Sequence, residues 1–454
     1  MSFQTVMNTF GAAIMLPIII FIFELVLRVK PSKAVRSAIY IGVGLNGLVS
    51  ILNPYFMSLM GKAVSEMVTA KGIQLPYVDT GWALLASLGY STTVGAIIIP
   101  VGILVNVVLL LSKLTDTLDL DLWNFWHWAF IGTMVDFATG SLLLGIISAI
   151  AVEIFLLFLA DITAKPMQKF FKLPGISFPH ASLQGGTIVA LLTRVPLEKL
   201  GIMKLKVNSS SIRKRFGVMG DSVVIGFIVA VIIGFLAWGD QLDQLSSWAS
   251  ILTDGIGTGA FIYLYPKATA SLLEGFSVLE ERVRDIMTNR KATREIYFGM
   301  DGALTIGNPD TITVGLVSMI IAVGLVFFLP GNHFLMLADL GVTPFFLAGG
   351  IVAIMGGNFI ASLITDTVAL VITLYASSAM APMFAANVSK VGLQLPDTGS
   401  AMVGADIRPI HALFYYVGQN PIVLGAMIVL TLVGMFFIHR NPNFKDKITG
   451  FKNS

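Results

Sequence analysis

His180 stands in the run Phe178-Pro179-His180-Ala181-Ser182, with Gln184 and the pair Gly185-Gly186 just beyond it. A neutral imidazole offers one donor and one acceptor, and a side-chain amide offers both, so these groups can hydrogen-bond the hydroxyls of a small solute. Pro179 removes a backbone donor and the glycines admit unusual torsions, so the chain is expected to bend where they sit. Asp301 is the acidic residue of an otherwise neutral run from Ile296 to Pro309. Its carboxylate can accept from two adjacent hydroxyls or serve as a base toward one of them; capping the next helix is the competing role. Asn124 and His127 lie three apart within Trp123-Asn124-Phe125-Trp126-His127-Trp128 and share a helix face. The tryptophans around them also suit an interfacial belt. Asp79 and Trp82, in Val78-Asp79-Thr80-Gly81-Trp82, read as an outer gate or stacking platform, or as an ordinary turn. Asn308 and Asp310 read as caps of the helix that follows.

The elements that must position these groups are membrane spans. The chain of 454 residues is 56% hydrophobic and 12% charged, against ~25% charged in soluble domains. Apolar stretches approach the ~20 residues that cross a bilayer, and they are apolar all round, unlike the one-sided helices of a soluble domain. Polar groups at that depth are costly and usually face a cavity. The net charge of +3 is small and its basic residues sit in particular loops, which is a topology signal and not a nucleic-acid signal. There are no cysteines, which excludes disulfides, thiolate catalysis and cysteine-ligated metals. Walker A, H-E-x-x-H and Cys/His patterns are missing, and no metal or cofactor is expected.

The Lys/Arg distribution predicts an outside N-terminus, an inside C-terminus and eleven spans, near 11–28, 35–52, 91–112, 123–139, 141–160, 222–238, 247–266, 311–330, 341–356, 358–376 and 411–438. The division between the fourth and fifth rests on Gly140-Ser141. Residues 174–193 are rich in Gly, Pro and polar groups and carry basic residues at both ends. They read as a re-entrant hairpin, and 296–309 as a second re-entrant or broken element, since irregular backbone at membrane depth must line a cavity or be buried in protein. Five spans followed by a second set starting from the opposite side give the arithmetic of an inverted repeat with one broken element in each half. The expected fold is an all-α polytopic membrane protein, a single domain over 1–454. A separate echo links Gly72-Ile73-Gln74-Leu75-Pro76 with Gly392-Leu393-Gln394-Leu395-Pro396; the two copies run parallel and do not support that repeat.

The stretches VDTGW (78–82), IPVGILVNVVLLLSKLT (99–115), DLWNFWHWAFIG (121–132) with ATGS (138–141), GISFPH (175–180), FGMDGALTIG (298–307) and PGNHFLMLADL (330–340) occur in this order. Together they resemble the galactitol family of bacterial phosphotransferase-system permeases, the enzyme IIC membrane component, with ascorbate permeases in the same superfamily. The resemblance covers essentially the whole chain. It implies a homodimer in the bacterial cytoplasmic membrane, each subunit with a V-shaped scaffold and a moving core. It also implies uptake of a sugar alcohol coupled to its phosphorylation, and polar contacts at positions like His127, His180 and Asp301. The phosphoryl group would be carried on a cysteine of a separate cytoplasmic IIB protein, itself served by IIA, because this chain has no cysteine. Asp301 or a histidine would accept the hydroxyl proton. The chain departs from the family at Gly302 and Asn308, where relatives commonly have Pro and His, and this leaves the identity of the polyol open.

Two other classes fit some of the residues. An ion-coupled secondary transporter for a polyol would also place polar groups on broken elements at the midplane. An intramembrane aspartyl protease would pair Asp301 with Asp310, but its G-x-G-D type of signature is absent.

Overall fold

The computed structural model describes residues 12–53, 61–70, 72, 75–79, 81–90, 92–205, 207–216, 221–289, 294–336, 339–387, 401–403 and 408–450. The first part holds α1 (Ala12–Val26), α2 (Pro31–Asn53), α3 (Gly61–Ala70), β1 (Tyr77–Asp79), α4 (Trp82–Tyr90), α5 (Thr93–Leu111), β2 (Thr117–Asp119), α6 (Leu122–Thr139), α7 (Leu142–Phe171), β3 (Ile176–Ser177) and α8 (Ala181–Lys199). The second holds α9 (Ser209–Phe216), α10 (Ser222–Trp238), α11 (Leu245–Asn289), β4 (Tyr297–Gly299), α12 (Pro309–Phe328), β5 (Phe334–Leu335), α13 (Thr343–Ile354), α14 (Phe359–Asn387), β6 (Ala401–Val403), α15 (Pro409–Gly418), α16 (Pro421–Arg440) and α17 (Pro442–Thr449). A 3₁₀ turn over Gly302–Thr305 joins β4 to α12.

Among the described residues six helices are long and apolar enough to cross a membrane: α5, α7, α12, α14, α16 and the segment Val223–Gln241. Their ends follow local chemistry. Gly140 takes φ +66° at the end of α6, a torsion that glycine adopts freely, and Ser141 caps α7 by accepting the Leu144 amide at 3.3 Å. Asn308 Oδ1 accepts the Asp310 amide at 2.9 Å, capping α12 just ahead of Pro309. The stretch 411–438 resolves into α15 and α16, separated where Asn420 caps the new helix at Ile422 (3.0 Å) and Pro421 occupies its first position. α11 is 45 residues long, about 68 Å at 1.5 Å per residue. It carries the stretch 247–266 and the charged segment after it as one continuous helix.

Short parallel strands interrupt the helices. They are two or three residues long and form two three-stranded sheets, ordered β5-β1-β6 and β2-β4-β3. The two sets of strands are interleaved: β1 sits between β5 and β6, and β4 sits between β2 and β3. A short sheet buried among helices has unpaired edges, and its backbone groups need partners. Asn106 supplies them along β2, donating Nδ2 to the Thr117 carbonyl and accepting the Asp119 amide, each at 2.9 Å. Asn332 does the same for β5, donating to the Phe334 carbonyl at 2.9 Å and accepting its amide at 3.1 Å. The leading copy of the echo runs into β1, paired directly with β6; residues 392–399 of the other copy lie outside the described ones.

Helix packing uses small residues for close approach, as membrane proteins commonly do. A Cβ on Gly132 would come within 2.6 Å of the Gly145 carbonyl, and one on Gly145 within 2.7 Å of the Gly132 carbonyl, so α6 and α7 meet backbone to backbone. Gly186 of α8 lies against the Leu347 carbonyl of α13 with no room for a side chain. α1, α2, α3, α10 and α11 pack chiefly on one another, while α4 to α8 and α12 to α16 pack into a second group around the two sheets.

Candidate functional site

The strands of the β2-β4-β3 sheet are each followed by helical structure, and the polar residues lie at or within two turns of those junctions. Residues 174–193 form β3, the link through Pro179 and the start of helix α8, with His180 at its N-cap. Residues 296–309 form β4, then Asp301 as cap of the 3₁₀ turn, accepting the Ala303 amide at 2.7 Å. His127 is on α6, the helix after β2, and is fully buried. β6 leads toward α15, whose third residue is His411, also fully buried.

These four residues meet. His127 Nδ1 lies 2.9 Å from His411 Nε2, and His127 Nε2 lies 3.1 Å from His180 Nε2. His180 Nε2 is 3.6 Å from Asp301 Oδ1. The far nitrogen of His411, Nδ1, accepts the Arg408 amide at 2.9 Å. Aromatic rings wall the cluster. Trp126 lies tilted against its neighbour His127 with centroids 3.6 Å apart, Phe346 stacks on His180 at 5.2 Å, and Trp82 meets Trp123 edge-on at 5.2 Å. Rings beside an imidazole suit the apolar faces of a sugar or polyol, while the nitrogens and carboxylate suit its hydroxyls.

Around this cluster the carboxylates brace the backbone. Asp121 caps α6 by accepting the Trp123 amide at 3.0 Å, and its other oxygen accepts the Asp301 amide at 3.0 Å, which fixes Asp301 beside His180. Asn124 donates Nδ2 to both oxygens of Asp119, at 3.1 and 3.0 Å. Gln184 donates to the Phe178 carbonyl at 2.7 Å and holds the bend before His180. Asn124 Oδ1 and Gln184 Oε1 receive no hydrogen bond among the described residues, so each keeps an acceptor. Asp79 belongs to the other sheet, where it accepts the Gly81 amide at 2.7 Å and the Asp339 amide at 2.6 Å. Asp310, the second carboxylate of the protease pairing, accepts the Ser209 amide at 2.8 Å, a task separate from that of Asp301. His411 is absent from the sequence expectations because it lies at the start of an apolar stretch. Its signal is Arg408-Pro409-Ile410-His411, a histidine close behind a proline, as His180 is behind Pro179.

A second cluster lies where the chain enters β2 and β4. Asp116, Asp161 and His439 place ligand atoms within 4.8 Å of one another. Their oxygens already have internal partners. Asp116 is hydrogen-bonded by Arg294 and by Lys445 at 3.3 Å, and it lies within ion-pair distance of His439 at 3.1 Å. Asp161 accepts the Thr117 hydroxyl at 2.8 Å and the Asp116 amide. Burial alone would push the Asp116 carboxyl up, but the bonds from His439, Lys445 and Arg294 outweigh it and hold it well below the usual carboxylate range.

Comparison with known proteins gives a consistent picture. The family model for the PTS system sugar-specific permease component, EIIC-GAT, matches residues 5–404. A candidate permease IIC component of Escherichia coli (strain K12) is 32% identical over 426 residues, covering 94% of this chain and 95% of the relative. The PTS system galactitol-specific EIIC component of the same strain is 29% identical over 366 residues, covering 80% and 79%. The protein of that name from Escherichia coli O157:H7 matches to the same extent.

Proposed function

This chain belongs to the sugar-specific permease components of the phosphotransferase system, and we propose that it carries a sugar alcohol of the galactitol kind to the site built by His127, His180 and Asp301. The observation that carries this reading is the chain of three buried histidines ending 3.6 Å from a carboxylate. Donors, acceptors and aromatic faces converge there from four separate elements, and such a convergence suits a solute with hydroxyls on adjacent carbons. Galactitol is the named substrate of two relatives, and it is the first polyol to test.

In this reading the phosphoryl donor is a separate cytoplasmic IIB protein, served by IIA. The bound hydroxyl oxygen forms a bond to phosphorus, the sulfur–phosphorus bond of phospho-IIB breaks, and the hydroxyl proton passes to Asp301 or His180. The chain supplies position and electrostatics, which dominate phosphoryl transfer. The interleaved strands support an inverted repeat, with β1 and β4 as equivalent first strands. The helices packed apart from the sheets, α1 to α3 with α10 and α11, would be the V-shaped scaffold, and the group around the sheets the moving core. A homodimer in the cytoplasmic membrane, N-terminus outside and C-terminus inside, completes the proposal.

Reconstituted vesicles test it. Galactitol uptake should require phospho-IIB on the cytoplasmic side and should yield galactitol phosphate. Accumulation of unmodified galactitol driven by an ion gradient, without IIB, would point to the secondary-transporter reading instead.

A further inference from the structure

Resting on the polyol site proposed above, we infer that His411 is a positioning residue that fixes the tautomer of His127, so that His127 presents an N–H donor to the solute and His180 an acceptor nitrogen. The inference follows the hydrogen bonds from one end. A backbone amide can only donate, so the Arg408 N–H, 2.9 Å from His411 Nδ1, makes that nitrogen the acceptor of its ring. A neutral imidazole then carries its proton on the other nitrogen. His411 Nε2–H therefore donates across 2.9 Å to His127 Nδ1. His127 is left with its proton on Nε2, which points across 3.1 Å at His180 Nε2. The direction set by one peptide group passes through two rings, and each nitrogen along the way has one permitted role.

At the end of the chain His180 Nε2 is an acceptor, 3.6 Å from Asp301 Oδ1. One contact pulls the other way: the Leu183 amide faces His180 Nδ1 at 3.5 Å. That distance lies beyond the usual hydrogen-bond range and 3.1 Å lies within it, so the contact from His127 decides the tautomer. The site then offers one donor, His127 Nε2–H, beside two acceptors, His180 Nε2 and the Asp301 carboxylate. A single hydroxyl can displace the His127–His180 bond, accepting from His127 Nε2–H and donating its own O–H to His180 Nε2. A vicinal hydroxyl matches Asp301. A solute with carbonyl or ether oxygens alone would leave both acceptors unmatched, so the arrangement selects for polyols.

The place of His411 at the third position of α15, reaching back to the Arg408 amide, is that of the Glu or Gln in a capping box. That geometry designs the test. In His411→Gln the amide oxygen can take the Arg408 N–H and the NH₂ can still donate to His127. In His411→Glu the carboxylate takes the amide but offers His127 Nδ1 only an acceptor, which favours the opposite tautomer. His411→Leu removes both bonds.

Nitrogen-15 NMR of histidine-labelled protein reads the rings directly, with the five histidines assigned by single replacement. His127 should show Nε2 protonated in the parent and Nδ1 protonated in His411→Glu. Galactitol binding to the purified protein should weaken about tenfold in His411→Glu and His411→Leu, the loss of one hydrogen bond, and His411→Gln should recover most of it. A parent protein that binds galactitol with His127 protonated on Nδ1 overturns the inference and leaves the site reading standing. A parent protein with the expected tautomer that binds no polyol sinks the site reading and leaves the ring assignment intact.

Discussion

Asp301 Oδ1 accepts the Ala303 amide at 2.7 Å and the same oxygen faces His180 Nε2 at 3.6 Å. The two roles can be separated, because asparagine retains a side-chain oxygen for the cap but loses the charge and one acceptor. Asp301→Asn should therefore cut vesicle uptake of galactitol at least tenfold, while membrane insertion and the thermal midpoint stay near those of the parent. Uptake at the parent rate would remove Asp301 from the site. At this scale much was legible from sequence. Three of the residues singled out there, His127, His180 and Asp301, do meet. Asn124 and Gln184 were equally visible as polar residues, yet their amide nitrogens hold Asp119 and the Phe178 carbonyl. Side-chain type alone does not separate a group that touches a solute from one that braces the backbone beside it. His411 was hidden by its apolar surroundings, although the residues before it repeat the pattern that exposed His180.

The glycines of α8 set how closely that helix, and His180 with it, approaches α13. Gly186→Ala would drive a methyl group into the Leu347 carbonyl, and no side-chain rotation can relieve contact with a backbone atom. Overpacking of this kind costs about 1–3 kcal/mol, so the variant should melt several degrees lower in detergent. An unchanged midpoint would mean that the two helices can part without loss. Helix ends such as Gly140-Ser141 and Asn308-Pro309 could be read in advance because caps and positive torsions have strong residue preferences. The strands could not. At two or three residues they are shorter than any period-two pattern, and in all four pairings the partners lie more than a hundred residues apart in sequence. The gap between α15 and α16 was likewise masked, since an apolar stretch of adequate length reads as a single span.

At the scale of the whole molecule, the Asp116 cluster fastens the C-terminal helix α17, through Lys445, to the entries of β2 and β4. Asp116→Asn should loosen this junction by an amount on the order of 2 kcal/mol, less than a fully buried pair because the cluster is partly exposed. Hydrogen exchange in α17 should rise accordingly. Since the native carboxyl titrates below its unfolded value, its contribution is complete above the ordinary carboxylate range and fades only as pH falls through the lowered native value. The titration of the Asp116 carboxyl itself should add no slope to stability between pH 5 and 8, and a midpoint falling steeply between pH 7 and 5 in the parent but not in Asp116→Asn would contradict this. The interleaving of the strands governs something else, the order in which a nascent chain can be finished. β2 and β3 flank β4 and wait for it, and β1 waits for β5 and β6. His127 waits as well, for a hydrogen-bond donor that leaves the ribosome 284 residues after it. Every copy of the carrier must therefore hold its early segments in the bilayer, unfinished, until nearly the last of the chain arrives.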